Sequence, residues 1–387
     1  MATVTRAPDF SYIPRALDLA ALLDRKSVFL FGPRQTGKTS LIRHTLPNAR
    51  VYDLLDTGLF LALSREPGRI AQELNDRDRV VVIDEIQSLP ILLNEVQRLI
   101  EEKGIRFLLT GSSARKLRCG GVNLLGGRAR TRHLHPLTYR ELGLQFQLSR
   151  ALACGLIPSL YFSDDPKADL QAYTDSYIRQ EIVSEGVTRN LSAFSRFLTA
   201  AACCNATIVH FTKIAADAQV PRTTVYEYFE ILKDTLLIHE LPAWRMSLKR
   251  KPLASSKFYF FDVGIAAQLQ GRLFQPGTPE MGEAFETYLM HELRTFVDTV
   301  SAEPLSYWRS TSGFEVDFIL GDHTAIEVKA RPNLTARELK GLHALAEEKK
   351  LKRYLIVSLE ERPRSDGTVT MLPYRMFLEA LWSGEYN

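Results

Sequence analysis

FLFGPRQTGKTSLI, residues 29–42, opens and closes on apolar side chains and turns between them on Gly32-Pro33-Arg34-Gln35-Thr36-Gly37-Lys38-Thr39. The spacing G-x-x-x-x-G-K-[ST] is that of a loop that wraps a polyphosphate. SVFLF before it reads as a buried strand, and TSLIRHTL after it as the start of a helix, which is the context the motif requires. Glycine lets backbone N–H groups turn inward, and the helix N-terminus adds its positive dipole end. Lys38 is then expected to reach the β- and γ-phosphates and Thr39 to hold Mg²⁺ through its hydroxyl, with Gly32, Pro33, Arg34, Gln35, Thr36, Gly37 and Ser40 around the same nucleotide. The bland alternative is a glycine-rich turn before a helix; the intact Lys38-Thr39 pair and both flanks stand against it.

A second run, RVVVIDEIQSLP at 79–90, supports the first. Val80 to Ile83 is continuously apolar, as in a strand buried on both faces of a parallel sheet. Asp84 ends it, where open α/β sheets place ligand chemistry. Asp84 is expected in the Mg²⁺ shell and Glu85 as the general base for the attacking water. A solvated turn is the alternative for this acidic pair. A third strand, in IRFLLTGSSARKL, ends in small polar residues, of which Thr110, Ser112 or Ser113 is placed to meet the γ-phosphate or the lytic water; Ser112 is preferred. Beyond it, LLGGRARTRHLHPLTYREL sets Arg128, Arg130 and Arg132 after a Gly126-Gly127 pair. These arginines either meet transition-state charge, in cis or from a neighbouring subunit, or line a solvated strand.

GPRQTGKT, VVVIDEIQSLP, LLTGSSARKL and GGRARTRHLHPLTYREL together resemble the prokaryotic AAA+-type ATPases whose C-terminal half was long catalogued as a domain of unknown function. The likeness spans nearly the whole chain. It implies ATP as substrate, Gln87 as a further active-site residue, and a homo-oligomer, ring or dimer, with composite nucleotide sites.

At 387 residues the chain exceeds what one hydrophobic core usually fills. With 45% hydrophobic and 24% charged residues it is neither disordered nor coiled coil in bulk. The net charge of +4 says little about partners. No apolar run reaches the roughly 18 residues that cross a bilayer, and the first residues lack the apolar core of a secretory signal. No membrane partner is expected. Cys119, Cys154, Cys203 and Cys204 have no metal or redox spacing, so a cytoplasmic chain with reduced thiols is expected.

The boundaries expected are an ATPase domain over 1–160, a helical connector over 161–204, a winged-helix domain over 205–275 and an endonuclease-like domain over 280–387. The connector carries apolar residues at helical spacing, Ile182 among them, and Arg179 matches a basic residue of the resembled family. FTKIAADAQVPRTTVYEYFEILKDTLLIHEL reads as a helix, a turn at Pro221 and a second helix capped by Thr223 or Thr224. Strands LIHELPAW and KFYFFDVG then flank a wing holding Arg245, Lys249, Arg250, Lys251 and Lys257. DNA is the expected partner. The contacts would come from Arg222 and Thr223 at the helix start and from the basic wing, through phosphates more than bases. Glu227, Glu230 and Asp234 count against major-groove insertion, and winged helices also serve as protein-contact modules.

In the last unit, MGEAFETYLMHELRTFVD is a helix with Phe285, Leu289 and Leu293 on its buried stripe. LSYWRSTSGFEVDFIL and HTAIEVKA read as two paired strands. Alternation puts Glu315 with Asp317 on one face, and Glu327 with Lys329. Two acids and a lysine suit metal-assisted phosphodiester hydrolysis with Mg²⁺ or Mn²⁺. The pattern is similar to the restriction-endonuclease-like fold, whose Asp and Glu-x-Lys fall on Asp317, Glu327 and Lys329, and whose preceding helix glutamate falls on Glu286. The alternative is a satisfied ion cluster in a fold without cleavage. The fold class expected is therefore α/β, a P-loop parallel sheet followed by winged-helix and endonuclease-like domains. Three functions compete: an ATP-hydrolysing protein that acts on DNA with a nuclease-like module, a DNA-remodelling motor without cleavage, and a nucleotide-switched regulatory or scaffold protein.

Overall fold

A computed structural model describes residues 12–75, 77–113, 115, 117, 125–178, 190–272 and 277–386. Cys119, Arg179 and Ile182 lie outside these.

The N-terminal unit is a parallel sheet of β1 (Ser27–Phe31), β2 (Arg50–Asp53), β3 (Val80–Asp84), β4 (Arg106–Gly111) and β5 (Ala129–His133), in the order β2-β3-β4-β1-β5. Strand alternation divides its apolar residues between two cores. Phe29, Phe31, Val81, Ile83, Phe107 and Leu109 enter one, while Val28, Leu30, Val82 and Leu108 enter the other. Burial on both faces is why these strands read as unbroken apolar runs. Helix α1 (Lys38–Thr45) leaves the C-terminal end of β1, and β3 delivers Asp84 to the same edge.

The middle unit runs helix α2 (Leu191–Ala202), β6 (Thr207–Ile208), α3 (Phe211–Ala218), α4 (Arg222–Asp234), β7 (Ile238–Leu241) and β8 (Lys257–Phe260). Its three strands are antiparallel in the order β6-β8-β7. Aromatic contacts hold α2 to α4 and α4 to the sheet, with Phe194–Tyr228 and Phe229–Phe258 centroids each 4.9 Å apart. Helix α4 begins on Pro221 without a side-chain cap, so Thr223 and Thr224 sit inside its first turn rather than capping it.

The C-terminal unit opens with helix α5 (Pro279–Phe296) on a six-stranded mixed sheet. Its strands are β9 (Leu305–Arg309), β10 (Glu315–Leu320), β11 (Thr324–Lys329), β12 (Arg353–Ser358), β13 (Arg364–Ser365) and β14 (Thr370–Pro373), ordered β13-β14-β12-β11-β10-β9. The segment expected as one strand, LSYWRSTSGFEVDFIL, is the antiparallel hairpin β9–β10. A register shift between Val316 and Ile319 reverses the alternation. Val316 and Ile319 therefore face the core under helix α6 (Lys340–Ala346), and Phe318 and Leu320 face the core shared with α5.

That shared core runs from Leu137 to Tyr386, so the middle and C-terminal units are packed as one body. The chain between β7 and β8 completes the junction by covering the free edge of β9. Trp244 N donates to Tyr307 O at 2.6 Å, Tyr307 N to Pro242 O at 3.0 Å, and Leu253 N to Arg309 O at 2.8 Å. An uncovered strand edge exposes a row of backbone donors and acceptors, and this segment satisfies them.

Candidate functional site

The C-terminal edge of the parallel sheet opens into a cavity of about 530 Å³. Arg34, Gln35, Gly37, Lys38, Thr39 and Ser40 line it together with Asp84 and Glu85, and its apolar wall includes Tyr12, Ile13, Leu137, Pro158 and Phe162. The phosphate loop is held from below. Thr36 Oγ1 donates to Pro33 O at 2.8 Å, and Lys38 Nζ donates to Gly32 O at 2.6 Å and Pro33 O at 3.1 Å. Gly37 has φ +95, a backbone region that disfavours a side chain. The loop residues expected from the motif thus meet the two carboxylates expected from β3.

Arg15 was not anticipated. Its Nη1 donates to Thr36 O at 2.6 Å, its Nη2 to His135 O at 2.6 Å, and its Nε to Glu141 Oε1 at 3.0 Å. No short-range pattern marks it, because its partners lie 21 and more than a hundred positions away.

Glu85 has φ 60, a left-handed conformation that is costly for a residue with a side chain and recurs at functional sites. Burial raises its pKa, opposed by the Lys38 charge. Gln87 Nε2 donates both to Glu85 Oε2 and, at 3.3 Å, to Ser112 Oγ. Its Oε1 is buried without a partner and presses on Gly111, where a Cβ would collide with it. Ser112, 2% exposed, lies beneath Gln87 and is not part of the cavity wall. Thr110 Oγ1 donates to Asp84 Oδ1.

The arginines after β4 depart from their in-cis expectation. Ala129 stands level with Ser27, at the end of β1 remote from the phosphate loop; five residues of strand, about 16 Å, separate that level from Gly32. Arg128 is paired with Glu101 at 2.6 Å, and Arg130 is exposed on the edge strand. Neither lines its own chain's cavity.

In the C-terminal unit, Glu286 on α5 and Asp317 on β10 lie around an ammonium, that of Lys257, while Glu327 on β11 pairs with Lys329 on the same strand. Lys257 Nζ, on the first residue of β8, lies 2.6 Å from Glu315 Oε1, 3.4 Å from Glu286 Oε1 and 3.9 Å from Asp317 Oδ1. Burial works against its charge, and Glu286, Asp317 and Glu315 outweigh that and raise its pKa. Tyr259, two residues along the strand, donates its hydroxyl to Glu286 Oε1 at 2.6 Å. Asp317 Oδ2 accepts Val328 N at 2.8 Å, and Lys329 Nζ donates to Glu327 Oε1 at 2.5 Å. Burial, then the Asp317 charge, raises the pKa of both Glu286 and Glu327. Of the expected metal ligands, Glu286 and Asp317 thus lie beside the ammonium of Lys257 and Glu327 beside that of Lys329. Among the described residues no group of three or more His, Cys, Asp or Glu is set to hold a metal.

The expected basic wing is divided. Lys257 is buried at 3% exposure rather than offered to a partner. Arg250 is also engaged, donating to Ala344 O and Glu347 Oε2, each at 2.8 Å. The turn before it is clamped by the Glu348 carboxylate, which accepts the backbone N–H of Leu248, Lys249 and Arg250 and the Ser247 hydroxyl. Arg245, Lys249 and Lys251 remain exposed on that turn. Arg222 and Thr223 are exposed at the start of α4, with Arg222 Nη2 donating to the Tyr226 hydroxyl at 2.8 Å.

Residues 24–143 match a family described as AAA domain; residues 145–275 and 281–377 match two described as domains of unknown function, DUF8612 and DUF4143. No curated protein matches the chain. Among solved structures, a signal transduction ATPase with numerous domains (STAND) carrying a tetratricopeptide repeat sensor, from Pyrococcus horikoshii, is 13% identical with a TM-score of 0.22. The match covers 74% of this chain and 47% of that one, so the chain spans about half of its length. The AAA-domain match spans the phosphate loop and the β3 carboxylates that line the cavity. Among the described residues, no helix is long and apolar enough to cross a membrane.

Proposed function

We propose that this chain hydrolyses ATP with Mg²⁺ at the mouth of its parallel sheet and couples turnover to nucleic acid held by its middle unit. The carrying observation is the convergence of Lys38, Thr39, Asp84 and Glu85 on one cavity of about 530 Å³. Its apolar wall, Tyr12, Ile13, Leu137 and Phe162, suits a nucleobase, and the loop Gly32–Thr39 suits the triphosphate. Lys38 exchanges its two loop carbonyls for phosphate oxygens. Thr39 and Asp84, both on the cavity wall, fit the Mg²⁺ that would neutralise charge developing on the phosphates. Glu85 takes the proton of the attacking water, held in place by Gln87. Arg130 serves a neighbouring copy's nucleotide, which fits a homo-oligomer.

DNA binding rests on two features. The proposal reads the middle unit's order, helix–strand–helix–helix–strand–strand, as a winged helix. Arg222, Thr223, Arg245, Lys249 and Lys251 are its exposed candidates for phosphate contact. A second reading, a motor or nucleotide-switched regulator without cleavage, is favoured by the lysine inside the C-terminal carboxylates. The test is ATP hydrolysis with and without linear, branched and single-stranded DNA, with the DNA run on a gel. Stimulation by DNA supports the coupling, cleavage products support the nuclease-like module, and turnover indifferent to every DNA, with no binding, overturns the DNA reading.

A further inference from the structure

We propose that the chain between β7 and β8 and the turn from α6 into β12 form one nucleic-acid surface, in which Lys349, Lys350 and Lys352 of the C-terminal unit meet phosphates beside Arg245, Lys249 and Lys251. This rests on the reading of DNA as the partner and extends it, because the contact is no longer the middle unit's alone.

Basic residues are concentrated here. Residues 245–251 and 347–353 carry eight Lys and Arg against two Glu, an excess of six, where the whole chain has an excess of four. Those two acids are what bring the segments together. Glu348 is buried and accepts the backbone N–H of Leu248, Lys249 and Arg250 at 2.8, 2.9 and 3.1 Å and the Ser247 hydroxyl at 2.8 Å. Glu347 Oε2 accepts Arg250 Nη2 at 2.8 Å. Both carboxylates are thus engaged within the junction and leave the lysines around them unopposed. Arg245, Lys249, Lys251, Lys349, Lys350 and Lys352 are exposed, and among the described residues none of the six is paired with a carboxylate.

The turn is fixed before a partner arrives. Trp244 N and Leu253 N hold its two ends to β9, Trp244 Nε1 donates to Asp322 Oδ1 at 2.8 Å, and the Arg250 guanidinium lies 5.3 Å from the centre of the Phe314 ring. Cations on a fixed turn lose less freedom on binding, which favours a ligand whose own charges stand at regular intervals. A duplex has them, one for about every 1.7 Å of its axis. Met246 and Leu248, 56% and 77% exposed, stand among these cations. Apolar side chains in such a setting wedge against base steps while basic neighbours hold the flanking phosphates. An anionic bilayer suits the surface less, because affinity there scales with buried apolar area and two side chains offer little. Lys349 and Lys350 directly follow Glu348, so the clamp that positions Lys249 sets them beside it.

The test is the fluorescence anisotropy of a labelled DNA duplex titrated with the full-length protein across a salt series, with thermal melts alongside. Four proteins are compared: wild type, K350A/K352A, L248E and R222A/T223A. K350A/K352A is expected to bind at least about five-fold more weakly, with the slope of log affinity against log salt reduced by about 1–2 and the melting temperature unchanged. L248E, which sets a negative charge amid the cations, is expected to weaken binding at least about five-fold as well. Should K350A/K352A melt early, K350Q/K352Q is read in the same way. Wild-type affinity and salt slope in either K350A/K352A or L248E overturn the inference; if R222A/T223A then loses binding, helix α4 holds the DNA and the DNA reading survives. Wild type that binds no DNA overturns that reading and this surface together, and phosphatidylserine vesicles bound in its place would make the partner a membrane.

Discussion

Arg15 Nη1 donates to the backbone carbonyl of Thr36 at 2.6 Å, tying the entry segment of the chain to the phosphate loop. The same guanidinium reaches His135 O and the Glu141 carboxylate, and both side chains of the Arg15–Glu141 pair are nearly closed to solvent, at 4% and 3% exposure. Removing one partner of a buried pair leaves the other unpaired, which costs about 3–5 kcal/mol. Arg15→Ala is therefore expected to lower the unfolding free energy by about 3 kcal/mol in urea titration and to raise KM for ATP at least about ten-fold. Arg15→Lys keeps the charge but not the fork, and is expected to restore stability more than KM.

Gln87 links Glu85 to Ser112 through one amide nitrogen. Its loss leaves the carboxylate free to leave the position from which it meets water. Gln87→Ala is expected to reduce kcat by roughly ten- to a hundred-fold with KM for ATP little changed, since a displacement of about an ångström costs that much. Steady-state kinetics check the split; a raised KM at unchanged kcat would place Gln87 in binding instead.

Four histidines meet where the three units join. The His135 ring lies 5.5 Å from His239, 6.4 Å from His291 and 6.2 Å from His133, and its Nε2 is 2.7 Å from Asp298 Oδ2, with Arg294 on the other oxygen. Burial pushes His291 down to about 3, and lowers His135 and His239 as well. In the unfolded chain each histidine takes a proton near its usual value of about 6.5. Between about pH 6.5 and 3 the unfolded state thus binds more protons, and stability falls as pH falls. Each such histidine contributes a slope of up to about 1.4 kcal/mol per pH unit. His291→Asn is expected to flatten the curve by about one such slope; an unchanged slope in urea titrations from pH 7 to 4 contradicts the assignment.

The exposed and engaged cations of the chain between β7 and β8 separate by their readouts. Lys249→Ala with Lys251→Ala is expected to weaken duplex binding and to reduce the slope of log affinity against log salt by about 1–2, without a change in melting temperature. Arg250→Ala, which breaks contacts to Ala344 and Glu347, is expected to lower the melting temperature. Fluorescence anisotropy across a salt series, beside thermal melts, distinguishes the two.

The legible parts of this chain were those set by local chemistry. Phe29, Phe31, Val81 and Ile83 are buried because parallel strands need apolar side chains on both faces, and Lys38, Thr39, Asp84 and Glu85 follow from the turn and strand end that carry them. Asp317 and Glu327 were expected together from the pairing of their two strands at ten-residue spacing, with Glu286 added by resemblance. What escaped depends on distant packing. Lys257 looks like any cation in RMSLKRKPLASSK, and only the docking of β8 against β10 buries it. Arg250 differs from Lys249 only because helix α6 lies beneath it. One miss had a local signal: Ser310-Thr311-Ser312-Gly313 carries turn residues that divide β9 from β10.

The most direct test compares wild type, K38A and E85Q in the binding and hydrolysis of radiolabelled ATP with Mg²⁺. Wild type should bind and turn over, E85Q should bind with comparable affinity while hydrolysis falls at least about a hundred-fold, and K38A should lose binding. Turnover by E85Q at the wild-type rate, or folded wild type with no affinity for ATP, would contradict the assignment of the sheet-edge cavity as the ATP site.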